Sequence, residues 1–439
     1  MEYQNITLAF QDAGAGKLSL RLSGCGATTQ PIDLERLESL LPTHRPAAEP
    51  GSTADKTRDV LRRQPQLPVQ PEEVGTRLFE MLFVGEIREL FCQQLDAVQK
   101  GERGLRLRLA LDVTSPVLRR LQDLPWELLY YPGWACFLGL DRRFSLVRSL
   151  DVPRPGGFQP AALPLRCLVV GSSPKGLEPL NLRSEAERID KALEGEKRIH
   201  AEHVPKPTAE KIRERLLASH CQIVHFAGHG YDDNNGRGLV LEDDEGSALR
   251  IDAARWAEHI ADVQPSLVVL NACSTARPSG SASQPFHGVA QALLRAGVPA
   301  VIAMREPILD RAGLVLAKTL YGRLAAGDPL DAALVEVRKA LRLQLPERSD
   351  WAIPALFLLG EGGRIFAEPG KSIEPGPVAE KHQETAFVEV EKAEDDNEII
   401  AIEEHGVERI EGNQRAEVKV GTVRCRNKIV GIQLHGTKG

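Results

Sequence analysis

The chain has 439 residues, 42% of them hydrophobic, which is enough for two or three cores. A formal net charge of −6 with intermixed signs offers no clustered basic face, and so gives no reason to expect a nucleic-acid partner. The opening Met1-Glu-Tyr-Gln-Asn has no basic-then-apolar leader and no long apolar run follows, so neither export nor membrane spanning is expected. The seven cysteines (25, 92, 136, 167, 221, 273 and 425) are odd in number, scattered and without CxxC spacing. That pattern argues against a disulfide framework or a zinc ribbon and points to a reducing cytoplasm with free thiols.

Taken in chain order, Ile6-Thr-Leu-Ala-Phe and Leu18-Ser-Leu-Arg-Leu alternate apolar and polar residues, which predicts a strand pair turning at Gly14-Ala-Gly16. With the Pro-, Arg-, Gln- and Glu-rich loop over 44–72, it forms a first region, 1–71. From Glu72 to Lys100, apolar residues at helical spacing (Leu78, Met81, Leu82, then Ile87, Leu90, Phe91) predict a buried amphipathic helical region. Strands are expected over Leu105–Leu111 and Phe144–Arg148. Between them, Leu124-Pro-Trp-Glu-Leu-Leu reads as packing for Trp126 and a buried, hydrogen-bonded carboxylate for Glu127.

Beyond the break Pro153-Arg-Pro-Gly-Gly157, apolar strands alternate with amphipathic helices. The strands are expected over Leu165–Gly171, Gln222–Ala227, Ser266–Asn271, Ala300–Met304 and Ala355–Leu359, and the helices over 183–194, 208–219, 286–296, 311–326 and 330–344. Such alternation predicts an α/β fold, a mostly parallel sheet with helices on both faces. The boundaries read from the chain are 72–160, a core over 161–367, a Pro/Gly linker over 368–377 and a strand-rich block over 378–439. That last block is expected to be a small all-β module. Its charge runs from acidic (Glu389–Glu404) to basic (Arg409, Arg415, Lys419, Arg424, Arg426, Lys428), which suits recruitment or self-assembly.

In an open parallel sheet, reactive groups gather beyond the carboxyl ends of the strands. Two such ends carry chemistry. One is Ile223-Val-His-Phe-Ala-Gly-His229-Gly230; the other is Leu267-Val-Val-Leu-Asn271-Ala-Cys273. A thiol needs a nearby base to ionise at neutral pH, and imidazole suits that task. Gly228 and Gly230 are read as an open turn whose N–H groups could hold an oxyanion. His225 could form an HxxxH pair with His229, but such metal pairs ride helices and this segment reads as a strand ending at Gly228. No metal is expected, and His225 is read as a hydrogen-bonded core residue. Cys92, Cys167 and Cys221 are read as structural. Gly171-Ser-Ser-Pro-Lys-Gly176 lacks phosphate-loop spacing, and no cofactor is expected.

Together His225-Phe-Ala-Gly-His-Gly230, Leu270-Asn-Ala-Cys-Ser-Thr275, Gly288–Met304, Asp310 and Trp351–Gly360 resemble a CHAT domain, a relative of caspases and separases, over about 72–367. The resemblance implies a caspase-like fold and a cysteine endopeptidase with His229 as base and Cys273 as nucleophile. Its oxyanion donors would be the backbone N–H groups of Gly230 and Cys273. The substrate protein would bind as an extended strand, with its P1 side chain in a pocket for which Asn271, Asp232, Glu306 and Asp310 are candidates. Relatives that cut after basic residues often carry an acid where Asn271 stands, so P1 stays open. The resemblance also implies a partner-activated effector in a prokaryotic stress or antiviral pathway. The alternatives are a catalytically silent scaffold or assembly protein, or another thiol chemistry such as acyl transfer.

Overall fold

In the computed structural model, the described residues are 2–366 apart from 15–16, 39, 41–69, 112–114, 116–117, 119–120, 151–159, 178, 181, 234–235, 273–284, 307, 309, 361 and 365. They belong to the first of two compact units, Met1–Ser372; the second, Ile373–Gly439, lies outside the described residues, and the expected C-terminal β module lies there with it.

The chain opens with β1 (Tyr3–Asp12), β2 (Leu18–Ser23) and β3 (Thr28–Ile32), an antiparallel meander in which Phe10 stands opposite Leu20. The short helix α1 (Leu34–Glu38) follows. The helical region expected over Glu72–Lys100 consists of two helices, α2 (Pro71–Leu82) and α3 (Gly85–Gln99). The break falls at Phe83 and Val84, and Gly85, which opens α3, has a φ of +49°, a left-handed conformation that costs a residue without a side chain little. Strand β4 (Gly104–Leu111) runs parallel to β1. A two-residue hairpin, β5 (Tyr130–Tyr131) and β6 (Cys136–Phe137), leads to β7 (Phe144–Ser149), which lies parallel to β4.

The second half holds β8 (Leu165–Gly171), α4 (Leu182–Leu193), β9 (Ile199–His203), α5 (Ala209–Ser219), β10 (Ile223–Asp233), β11 (Gly236–Glu242), β12 (Ala248–Asp252) and α6 (Ala253–Ala261). It continues with β13 (Leu267–Ala272), α7 (Pro285–Arg295), β14 (Ala300–Met304), α8 (Asp310–Ala325), α9 (Leu330–Gln344) and β15 (Pro354–Leu358). Strands β9, β8, β10, β13 and β14 are parallel neighbours in that order. Strand β15 closes them antiparallel and pairs parallel with β7 on its other side, joining both halves into one mixed, mostly parallel sheet.

Successive side chains of a strand point to opposite faces, and the core divides accordingly. Cys167, Val169, Ile223, Leu267, Val269 and Ile302 belong to one buried cluster with Ile189 of α4 and Leu316 and Leu320 of α8. Leu168, Val170, Val224, Phe226, Val268, Leu270 and Val301 belong to the other, with Leu216 of α5, Trp256 of α6 and Leu293 of α7. Each fully buried aliphatic side chain contributes about 1.5–3 kcal/mol, so strands apolar on both faces are held where they lie. Helices α5 and α6 begin on side-chain caps: Thr208 Oγ1 accepts from Lys211 N at 3.3 Å, and Asp252 Oδ1 from Ala254 N at 2.8 Å. Among the described residues, no helix is long and apolar enough to cross a membrane.

Candidate active site

Two adjacent strands deliver the candidate residues. β10 and β13 are parallel neighbours, with Ile223 opposite Leu267, Ala227 opposite Asn271 and Gly228 opposite Ala272. β13 ends there, and Cys273 lies outside the described residues. β10 continues, placing His229 opposite Val240 and Gly230 opposite Leu239 in an antiparallel hairpin with β11. The turn expected at Gly228–Gly230 is therefore corrected to uninterrupted strand. On the side of β10 away from β13, the pairing with β8 ends at Ala227 and β11 takes it up from His229. Glycine at 228 answers a different need, since a Cβ there would stand 2.5 Å from the ring of Phe226.

His229 is buried, with 4% of its surface exposed. On the face of cluster residue Ile223 lies His225, fully buried; its Nδ1 is 2.6 Å from the Tyr321 hydroxyl, in keeping with a hydrogen-bonded core residue. Its Nε2 is 3.4 Å from Glu185 Oε1, at ion-pair distance but without hydrogen-bond geometry. Among the described residues, no cluster of His, Cys, Asp and Glu could hold a metal.

The CHAT domain model matches residues 72–361. The chain belongs to the CHAT domain family. No curated protein matched it. Similar solved structures include the Saccharomyces cerevisiae separase–securin complex (12% identity, TM-score 0.43), covering 81% of this chain and 30% of that one. The Arg-specific cysteine proteinase gingipain R is 12% identical with a TM-score of 0.37 and coverages of 62% and 67%. Pro-Sf-caspase-1 is 12% identical with a TM-score of 0.30 and coverages of 48% and 99%.

Around the strand ends, the CHAT domain places the other candidates unequally. Asn271 is buried, and its Nδ2 donates to Glu185 Oε1 at 2.9 Å. Glu306 is buried two residues beyond β14, with Oε1 2.7 Å from Arg305 Nη1. Asp310 opens α8, and Asp232 lies on β10 opposite Arg237; the side chains of both lie outside the described residues. Of the candidates whose side chains are described, Asn271 alone is joined to the polar network on the His225 face.

The unforeseen member of this network is Glu185 of α4. Burial pushes its carboxyl up. The neighbouring His225 imidazole, the Arg188 guanidinium 3.1 Å from Oε2 and the Asn271 amide outweigh that and hold it below the ordinary range. Burial also keeps Tyr321 protonated, well above its usual range. A signal for Glu185 was present in the sequence, because it stands four residues before the buried Ile189 and so on the apolar stripe of α4.

The remaining motifs are structural. Burial pushes the Cys167 thiol up to about 12 and that of Cys221 to about 11, the opposite of nucleophile activation. Trp126 packs on Phe10 and donates through Nε1 to Leu121 O at 2.8 Å, while Glu127 pairs with Arg148. The Gly171–Gly176 loop spends its donors on the chain itself: Ser172 N donates to Ala227 O, Ser172 Oγ to Val240 O and Ser173 N to Glu242 Oε1.

Proposed function

We propose that this CHAT domain is a cysteine endopeptidase in which His229 is the general base and Cys273 the nucleophile. The observation that carries the reading is the register of β10 and β13. Gly228 stands opposite Ala272 in a parallel pair, and the residues that follow these two in the sequence are His229 and Cys273. Parallel strands lie about 4.8 Å apart, within reach of a thiol–imidazole contact.

In this reading, His229 takes the thiol proton and the Sγ thiolate adds to the scissile carbonyl. The backbone N–H groups of Gly230 and Cys273 receive the negative oxygen. The C–N bond breaks, the amine leaves with the proton from His229, and an acyl-thioester remains. Water, deprotonated by His229, cleaves the thioester and restores the thiol. Asn271, Asp232, Glu306 and Asp310 would line the P1 pocket. The CHAT resemblance further supports a partner-activated effector in a prokaryotic stress or antiviral pathway, because a thiol protease in its own cell needs restraint.

The test is mass spectrometry of new peptide termini after incubation with proteins encoded beside it. Cleavage should be abolished by Cys273→Ala and reduced by orders of magnitude by His229→Ala, and should survive Cys221→Ala. Substantial cleavage by the Cys273→Ala protein would refute the nucleophile. Loss of activity in EDTA, restored by zinc, would point to metal chemistry instead. An intact, folded protein that cleaves nothing with any partner would favour the silent scaffold.

A further inference from the structure

A cavity of about 460 Å³ opens between the first turn of α2, the β5–β6 hairpin, the turn before β7 and the last turns of α9. None of the residues lining it belongs to β8, β10 or β13. Part of the wall is aromatic: Tyr130 and Phe137 pack edge to face, 5.0 Å between ring centres. Part is charged. Lys339 and Arg342 stand three residues apart on α9, and so on one side of that helix, and Glu72 and Asp141 join them in the lining. The volume lies within the range of small-molecule sites, about 300–1,000 Å³.

The Arg342 guanidinium is held in place without being used up. Its Cζ lies 4.9 Å from the centre of the Phe137 ring and 5.6 Å from that of Trp351, and those two rings pack edge to face at 4.8 Å. Its Nη2 meets Glu72 Oε1 at 3.7 Å, an ion pair too long for a hydrogen bond. A guanidinium seated over aromatic rings has given up side-chain freedom in advance, and its planar fork matches a carboxylate. The other charges are largely engaged. Asp141 accepts from Arg143 Nε at 3.1 Å and Nη2 at 2.6 Å, and Lys339 shares Glu336 with Arg142, at 3.3 and 3.5 Å. Burial pushes the Asp141 carboxyl up, but the Arg143 hydrogen bonds and charge, with the Lys339 charge, outweigh that and keep it ionised. Asp328, the other partner of Arg142, is balanced by Arg323. Arg142, Arg143, Lys339 and Arg342 thus face Glu72, Asp141 and Glu336, an excess of one positive charge.

We propose that this cavity binds a monocarboxylate with an apolar body, the carboxylate on Arg342 and Lys339 and the body against Tyr130 and Phe137. A phosphate monoester would bring two negative charges where one is balanced, with Glu72 already in the wall, and is disfavoured. A free organic acid and the terminal carboxylate of a peptide present the same chemistry. The site is independent of the endopeptidase reading, since its lining includes neither His229 nor any other residue placed in that machinery.

The test titrates the full-length protein calorimetrically with N-acetylphenylalanine, N-acetylleucine, the uncharged amide of the former, phenyl phosphate, and a tetrapeptide ending in a free phenylalanine carboxylate. Cys136 lines the same cavity, so an occupant should shield it from iodoacetamide, read by peptide mapping. Burial, ahead of the Asp141 charge, raises that thiol, and the alkylation is run at about pH 9. The acids should bind and slow alkylation of Cys136, with the amide and phenyl phosphate about tenfold weaker or more. Arg342→Gln should weaken the acids about tenfold, whereas Glu72→Gln, which removes the competitor for that guanidinium, should tighten them. Because Arg342 also packs on Phe137 and Trp351, Lys339→Gln, at an exposed side chain, serves as the second variant and should weaken them severalfold. Binding of the tetrapeptide as tightly as the free acids would assign the site to a peptide terminus, and its exclusion would assign it to a small organic acid. Equal affinity for acid and amide, preference for phenyl phosphate, or binding that leaves Cys136 as reactive as before would overturn the proposal. So would the absence of binding by any acid, or affinities indifferent to both cation variants.

Discussion

Two buried charged groups in this CHAT domain are satisfied in different ways. On β7, Arg148 uses all three guanidinium nitrogens: Nε and Nη2 fork onto Glu127 at 2.8–3.1 Å, Nη1 donates to Gln122 O, and Nη2 also reaches Leu124 O. This arginine staples the loop before β7 to the sheet. Near the end of β13, Glu185 is bonded to Asn271 and Arg188, while Asn271 Oδ1 and His225 Nε2 beside it have no hydrogen-bond partner among the described residues. The guanidinium is satisfied on all sides, whereas the carboxylate network near β13 has two buried atoms with no hydrogen-bond partner among the described residues.

The contrast can be broken most forcefully at Arg148. Removing one partner of a buried pair strands the other charge, so Arg148→Ala should destabilise by about 3–5 kcal/mol in urea titrations. Arg148→Met with Glu127→Leu should recover most of that loss. Recovery by the apolar pair would show a structural staple, whereas failure to recover would mean that the charges themselves specify the loop.

A pH experiment sharpens the same contrast. His287, on α7 beside Phe357, is driven well below its ordinary pKa by burial and by the nearby Arg148 and Arg305 charges, and is neutral in the folded protein. The unfolded chain takes up this proton near pH 6.5, so the contribution of His287 is intact above that value. It is lost as pH falls below it, at up to about 1.4 kcal/mol per pH unit until the folded value is reached. Urea midpoints at pH 7.5 and 5.5 should separate more in wild type than in His287→Gln, and equal separations would show that other groups carry the acid sensitivity. The smallest effect is expected far from both networks: Thr208→Ala, which removes the α5 cap, should cost about 1 kcal/mol without altering that acid response.

How much of this was legible depended on whether the controlling interaction was local. The helix over 330–344 and the strand over Leu165–Gly171 appear with those bounds, because 3.6-residue and apolar-run patterns decide them within one segment. Helix α5 at Ala209–Ser219 likewise begins at its cap. Strands β3, β9, β11 and β12 were not foreseen. Thr28-Thr-Gln-Pro-Ile and Ile199-His-Ala-Glu-His are half exposed at sheet edges and carry few apolar residues, so pairing, with β2 and with β8, is what makes them strands. The site divided in the same way. His229 and Cys273 could be put forward as candidates from flanking glycines and apolar strands, whereas the link from Glu185 to Asn271 spans 86 residues and exists only once α4 lies on β13's face. The continuation of β10 past Gly228 was hidden for the same reason, since β11 supplies the pairing.

The place of β15 sets the order in which this molecule can be made. Among the described residues it is the last strand of the sheet in sequence, yet it stands between β14 and β7, and no other described strand joins those two. On the ribosome, the meander with β4 and β7 and the later block of β8 to β14 can each begin to gather as they emerge. Helix α9 already links them through Asp331 and Arg106, but their strands cannot pair across the seam until Pro354–Leu358 has left the exit tunnel. Until then β7 and β14 each present an open apolar edge, and a chain paused in that interval exposes two templates for pairing with a neighbour. Five late residues thus time the closure of the whole sheet, a long-range contact of the kind that makes folding slow.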